Sequence, residues 1–417
     1  MSALFLLTFC AAVTRAQETH DLNKLAASPK VKQALAYLQA TEPETIAEQI
    51  RTCEIPAPTF AEKKRGEYYI ARFRALGLKN VRMDAIGNVI GERPGAGGGA
   101  TLLLAAHLDT VFPIETDVRV KREGNILRGP GIGDDCRGLT TLQALLRAMS
   151  DAKIETRGTI LFVANVAEEG LGDLRGVRHL FNGEFKGKVD HFISIDGTGL
   201  DVTNTAVGVK RYRVTFHGPG GHSYGAFGLP SPIHALGRAI DKIARLDVPA
   251  KPKTTFNVGK IEGGTSVNSV AHTAWFELDL RSESAAEVTR MDNQVKQMAQ
   301  QALDEENNSL KGGRKSDKQL TVELKVVSER PAGVTPVTAP IVRVALAADA
   351  ALGIKSNLTS GSTDANIPIS LGVSAITIDG GGMGRGAHAL DENFDTTNSH
   401  LGPQRALLLI LGLVGMK

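Results

Sequence analysis

Four short apolar runs do most to constrain how this chain can fold: TLLLAA (101–106), TILFVANVA (159–167), HFISI (191–195) and SAITI (374–378). Each is strand-sized and lacks regular polar alternation, the pattern of strands buried on both faces. Each also ends on reactive side chains. The first runs into His107 and then Asp109, the second into Glu168 and Glu169, and the third into Asp196-Gly197. The fourth is followed by the glycine loop GGGMGRGA and His388. Between the first two lies CRGLTTLQALLRAMSD, with Leu139, Leu142, Leu145, Leu146 and Met149 at helical spacing. Strand, helix, strand implies an α/β fold with a parallel or mixed sheet. Ligands of such sheets bind beyond the carboxyl ends of the strands. The runs therefore predict acids and imidazoles gathered along one sheet edge.

The bulk properties narrow the class. A length of 417 residues favours two domains over one. A hydrophobic share of 42% and a charged share of 22% are ordinary for a soluble globular chain. The net charge of +3, with both signs interspersed, gives no footprint of a nucleic-acid binder. The opening MSALFLLTFCAAVTRAQE reads as a secretory signal over 1–16, cleaved after Ala16, although it lacks a basic first segment. That predicts a secreted or periplasmic protein, and a cytoplasmic one if the leader reading fails. No run reaches about 18 uninterrupted apolar residues, and ALLLILGLVG near the end reads as a buried helix, so no stable membrane anchor is expected. Beyond the leader, Cys53 and Cys136 make no disulfide framework and read as buried thiols.

A fifth cluster lies in RGPGIGDD, where Asp134 and Asp135 precede the predicted helix. Each cluster has a bland explanation when taken alone. Paired acids can cap a helix and complement its dipole. An acid before glycine can start a turn, and a histidine in a glycine loop can be plain surface. Five such clusters at equivalent sheet-edge places are harder to dismiss. Two imidazoles and three carboxylates suit two zinc ions that share a bridging carboxylate. Hydrolysis then needs one further carboxylate as general base.

The order HLD, GxGxxDD, EEG, DG and a late His resembles the dinuclear zinc metallopeptidase family. That family includes peptidase T, glutamate carboxypeptidase, succinyl-diaminopimelate desuccinylase and the aminoacylases. IPAPT near the start, GPGGHS (218–223), GGTSVNSVA (263–271) and SGSTDANI (360–367) extend the resemblance over nearly the whole mature chain. It implies that His107 and Asp196 bind one zinc, that Glu169 and His388 bind the other, and that Asp134 bridges them. Glu168 is then the general base, working on a hydroxide that bridges the metals. Asp109 accepts the second N–H of His107 and fixes its tautomer. The Asp134-Asp135 peptide is expected to be cis. Cobalt or manganese would serve as well as two zinc ions per subunit.

The middle of the chain alternates half-buried strands with amphipathic helices, at 231–246 and from about Ser284 to Asp304. It reads as an α+β domain, 208–329, inserted in a first domain made of 17–207 and 330–417; the resemblance makes the insert a lid and dimerisation domain and the rest the catalytic domain. The resemblance makes the chain a homodimer through this lid. It gives His222 the role of oxyanion stabiliser. Asn268 becomes a substrate contact and Arg330 a carboxylate anchor, and Ser362, in the polar loop 360–364 near the expected site, is read as lining the substrate pocket, with a plain turn cap at Asp364 as the alternative. A solvated loop histidine and an interdomain surface arginine are the plainer readings of His222 and Arg330.

The activity implied is exopeptidase cleavage of short peptides, peptidase T-like or glutamate carboxypeptidase-like. An N-acyl amino-acid amidohydrolase is the alternative within the same chemistry. An inactive peptide- or metal-binding relative is the alternative of another class, against which an intact Glu168 argues.

Overall fold

In the computed structural model, residues 21–310 and 316–417 are described; the leader expected over 1–16 lies outside them. The chain forms two compact units. One takes the chain up to Ala206 together with Val334–Lys417, and the other is Val207–Gly333.

The first unit is built on a mixed sheet. Its order is Lys79–Met83, Val89–Arg93, Ile160–Asn165, Leu102–His107, His191–Ile195, Ser374–Ile378 and Val202–Ala206, with Leu358–Gly361 beside the last. The four strands predicted from the apolar runs are its parallel centre. Val89–Arg93 joins antiparallel on one side and Val202–Ala206 on the other. The alternation of side chains along a strand sends neighbours to opposite faces. Leu102, Leu104 and Ala106 enter one core with Leu139, Leu142 and Leu407. Leu103 and Ala105 enter another with Val177, Leu180 and Phe181. With both faces covered, the central strands hold no charged carboxylate along their length, and their only interior polar residues are the small Ser194 and Thr377.

The helix Cys136–Asp151 is buried along almost its whole length, as is Leu401–Val414. No described helix is long and apolar enough to cross a membrane.

A small antiparallel sheet was not foreseen. Met383–Arg385 pairs with Asn393–Asp395, which pairs with Ile126–Arg128 and then Lys121–Glu123. Its register sets Asn393 opposite Arg128 and Phe394 opposite Leu127. The hairpin tip that carries His388 is thereby brought beside the loop Gly129–Asp135.

The second unit is an α+β sandwich. An antiparallel sheet in the order Thr254–Gly263, Thr273–Ser282, Gly208–His217 and Thr321–Arg330 carries the helices Pro232–Ile243 and Ala285–Asn307. Its core packs Tyr212, Val214, Phe216, Phe276, Leu278 and Leu280 against Leu236, Ala239, Val295 and Ala299. Pro232 sits at the start of one helix, and the Ser284 side chain caps the other by accepting the Glu287 N–H. The second boundary falls at 333/334 rather than at 329/330. Thr321–Arg330 is a sheet strand paired along its length with Gly208–His217, so Arg330 belongs to this unit.

Candidate metal centre

His107 is the last residue of its strand and is almost fully buried. Its Nε2 lies 3.0 Å from Asp134 Oδ1 and 3.9 Å from Asp196 Oδ1. His388 Nε2 lies 3.3 Å from the other Asp134 oxygen, Oδ2, and 2.8 Å from Glu169 Oε1. Asp134 thus turns one oxygen to each imidazole. Two donor groups share it: His107, Asp134 and Asp196, and Asp134, Glu169 and His388, each with atoms within 4.8 Å of one another. Glu168 forms a third group of the same size with His107 and Glu169.

Backbone geometry places these donors. Ala167 has a φ of 56°, in the left-handed region, just after the strand Ile160–Asn165. The Ala167 carbonyl accepts the Arg175 N–H, and its own N–H donates to Glu62 Oε1 at 3.1 Å. This turn delivers Glu168 and Glu169 in succession. His388 also sits at positive φ, 67°. Such conformations cost on the order of 1–3 kcal/mol for a residue with a side chain and persist where surrounding contacts impose them. The Asp134-Asp135 peptide is cis, as the resemblance implied.

Three buried carboxylates hold the donors without joining either pair of ligands. Asp109 Oδ1 accepts the Glu168 N–H at 3.0 Å, and Oδ2 accepts the Glu169 N–H and the Thr59 hydroxyl, both at 2.9 Å. The expected contact from His107 Nδ1 to this carboxylate is corrected. Nδ1 donates to the Asp109 main-chain carbonyl at 3.0 Å, while the carboxylate stands 3.6 Å away because it is turned to the Glu168 and Glu169 amides. The consequence for the tautomer is unchanged, with Nε2 left for Asp134. Asp135 Oδ1 caps the helix through the Gly138 N–H, and Oδ2 accepts the His107 N–H, each at 3.0 Å. Its bland reading as a cap is thus correct, with a tie to the His107 strand added.

Sequence reasoning missed Glu392. It is 2% exposed and accepts the N–H groups of Gly131 and Gly133 at 2.8 Å and of Asp134 at 3.1 Å. It stands four residues beyond His388, so one carboxylate fastens the His388 hairpin to the Asp134 loop. Only the short spacing from His388 could have signalled it.

The electrostatics follow from packing acids around two imidazoles. Burial disfavours the charged form of His107, but Asp109 and Asp134 outweigh it and set its pKa well above the usual value. His388, hydrogen-bonded to Asp134 and Glu169, is pushed up to about 10. Burial would raise Asp134, yet its bonds to His107 and His388 hold it below the ordinary carboxylate range. Asp196 is pushed up to about 7 by burial, with Asp134, Asp364 and Glu169 adding to it against His107. Glu392 is likewise raised to about 7 by burial, against its backbone partners. A set of acids and imidazoles that restrain one another's titration in this way is the expected setting for a multivalent cation. The nitrogen and oxygen donors, three to a group with one carboxylate in common, fit two borderline divalent ions.

Ser362 lies partly buried in the loop between Leu358–Gly361 and Asn366–Ser370. That loop carries Asp364, which accepts the Asn165 side-chain amide at 2.7 Å beneath the strand ends. His222, Asn268 and Arg330 lie in the second unit. His222 and Asn268 are on adjoining segments, where the Ser223 N–H donates to the Asn268 carbonyl at 2.9 Å. His222 is exposed, and its Nδ1 accepts the N–H groups of Tyr224 and Gly225, which leaves the proton on Nε2. Arg330 is 7% exposed, which rules out the plain surface charge.

The family profile for Peptidase family M20/M25/M40 matches residues 103–409, and the chain belongs to this family. The uncharacterised protein YqjE of Bacillus subtilis is 26% identical over 360 residues, covering 81% of this chain and 90% of its own. Carboxypeptidase G2 of a Pseudomonas species is 28% identical over 228 residues, 52% of this chain and 54% of its own. The aminopeptidase PepT of Bacillus cereus superposes with a TM-score of 0.71 at 20% identity, covering 89% of this chain and 98% of its own, which establishes a shared fold. The chain is therefore an enzyme of a metal-dependent peptidase and amidohydrolase family.

Proposed function

We propose that the protein is an exopeptidase that hydrolyses amide bonds in short peptides, with two zinc ions at the centre described above. The observation that carries the reading is Asp134, with one oxygen toward His107 and the other toward His388. His107 and Asp196 would hold one ion, Glu169 and His388 the other, and Asp134 both. When bound, such ions supply Lewis acidity that makes a water acidic near neutral pH and polarises an amide carbonyl.

The chain's own groups do the rest. Glu168 is almost fully buried, and its main chain is fixed by Asp109. Its carboxylate takes a proton from the attacking water and returns it to the leaving amine. Asp109 keeps His107 in one tautomer through its carbonyl and keeps Glu168 and Glu169 in register through its carboxylate. His222, with its proton on Nε2, has the donor form that an oxyanion stabiliser requires.

The test is mass spectrometry of products from free, N-acylated and C-amidated tripeptides, using zinc-loaded wild type and Glu168→Ala. Cleavage blocked by N-acylation alone marks an aminopeptidase. Cleavage blocked by amidation alone marks a carboxypeptidase or an acylase. Equal inertness of wild type and variant on every substrate would sink the hydrolase reading.

A further inference from the structure

We infer that Arg385 makes the enzyme select substrates that carry a side-chain carboxylate, which it receives in a cavity beside Asp134. The inference rests on the hydrolase reading above and adds a substrate class to it. The cavity holds about 220 Å³ and is lined by Gly133, Asp134, Gly197, Thr198, Arg385 and Glu392, among others. It adjoins the metal centre on several sides. Asp134 is itself in the wall, Gly197 follows Asp196, and Ala387, also in the wall, precedes His388. A group flanking the scissile amide of a bound substrate would enter here.

Much of the wall is bare backbone, and it is tightly made. A Cβ added at Gly133 would come within 2.8 Å of Thr198 Cγ2, and one at Gly384 within 2.5 Å of Thr198 Oγ1. The lining holds three ionisable side chains. Glu392 is satisfied by three backbone N–H groups, and Asp134 is turned to the two imidazoles. Arg385 differs. Among the described residues its guanidinium has no hydrogen-bond or ion-pair partner. Its backbone is nonetheless fixed, paired with Asn393 in the hairpin that presents His388.

An unpartnered, exposed guanidinium carried on a paired strand beside a wall of glycines is suited to a planar anion that it can grip with two parallel N–H bonds. The Thr198 hydroxyl accepts the Gly384 N–H at 2.8 Å, so its own hydrogen points elsewhere and is available to the same anion. The substrate class is thus a peptide or N-acyl amino acid with a side-chain carboxylate next to the scissile bond.

The test uses the full zinc-loaded chain and tripeptides with glutamate or glutamine at each position in turn, together with N-acetylglutamate and N-acetylglutamine. Wild type should prefer the glutamate form at one position by about ten- to a hundredfold in kcat/KM, as a hydrogen-bonded charge implies. Arg385→Gln should bring that ratio close to one, and Arg385→Glu should invert it. Titration calorimetry of the same pairs on Glu168→Gln should show the preference in Kd without turnover. Absence of any preference in wild type, or a preference that survives in both variants, overturns the proposal while leaving hydrolysis intact. Absence of cleavage of every substrate by wild type, with no peptide bound, overturns the hydrolase reading and this proposal with it.

Discussion

His107 and His388 both present Nε2 to Asp134, at 3.0 and 3.3 Å, yet the chain delivers them in different ways. His107 ends a buried strand in the middle of the parallel sheet, and its ring is fully enclosed. His388 rides the tip of a hairpin whose strands are three residues long, and its side chain is half exposed. The sheet side is held by core packing and by Asp109. The hairpin side is held by its pairing with Ile126–Arg128, by buried Phe394 and by the carboxylate of Glu392. The candidate centre is thus assembled from one half on the central sheet and one half on a short hairpin fastened to it.

The largest expected effect separates chemistry from assembly on the sheet side. Glu168→Ala should lower kcat by about 10²–10⁴-fold with two metals still bound, since the residue belongs to neither ligand pair. Loss of metal in that variant, seen by elemental analysis, would show that Glu168 helps to build the site.

The next effect tests the comparison directly. Glu392→Gln should weaken metal binding by about 10–100-fold, and Asp109→Asn by a similar factor. The two should differ in what they disturb. Asp109→Asn should lower kcat as well, because its carboxylate aligns Glu168 and Glu169. Glu392→Gln should lower kcat little once metal is saturating. Equal kcat losses at saturating metal would erase the distinction between the two halves.

Protons supply a third test. In the metal-free protein His388 titrates at about 10, so at pH 7 its ring carries a proton that must leave before Nε2 can hold an ion. Asp196, titrating at about 7, acts in the same direction. Metal binding should therefore release protons, and affinity should rise with pH and fall as the solution is acidified. Calorimetry in two buffers of different ionisation enthalpy measures the release. Binding without it would mean that the hairpin side already holds a neutral imidazole.

The smallest effect serves as a baseline in the second unit. Ser284→Ala removes a helix cap and should cost about 1 kcal/mol of stability, with metal affinity unchanged. A shift in metal affinity, read beside the thermal unfolding curve, would show that the centre responds to helix stability in the second unit.

The sheet half was legible in the sequence because burial on both faces forces a continuous apolar run. The first ionisable residue after such a run is then conspicuous, as with His107, Glu168 and Asp196. The hairpin half was legible only at His388, and only through the company of the other clusters. Glu392 and Arg385 sit in strands or turns too short to show any period, and they are placed by the strand Asn393–Asp395, which pairs with Met383–Arg385 on one side and on the other with Ile126–Arg128, more than 250 residues earlier in the chain. Asp109 shows a subtler limit. Its placement beside His107 was readable, but the choice between its carbonyl and its carboxylate depends on the Glu168 and Glu169 amides, which a local reading does not contain.

The division of Asp134 between two imidazoles has a thermodynamic consequence. In the proposed two-ion centre one carboxylate would be common to both positions, so that the occupancy of one would alter the free energy of filling the other. Whatever factor the first ion imposes on the second, the second must impose on the first. Titration of the apoprotein should therefore yield two interdependent constants whose product, rather than either alone, characterises the centre.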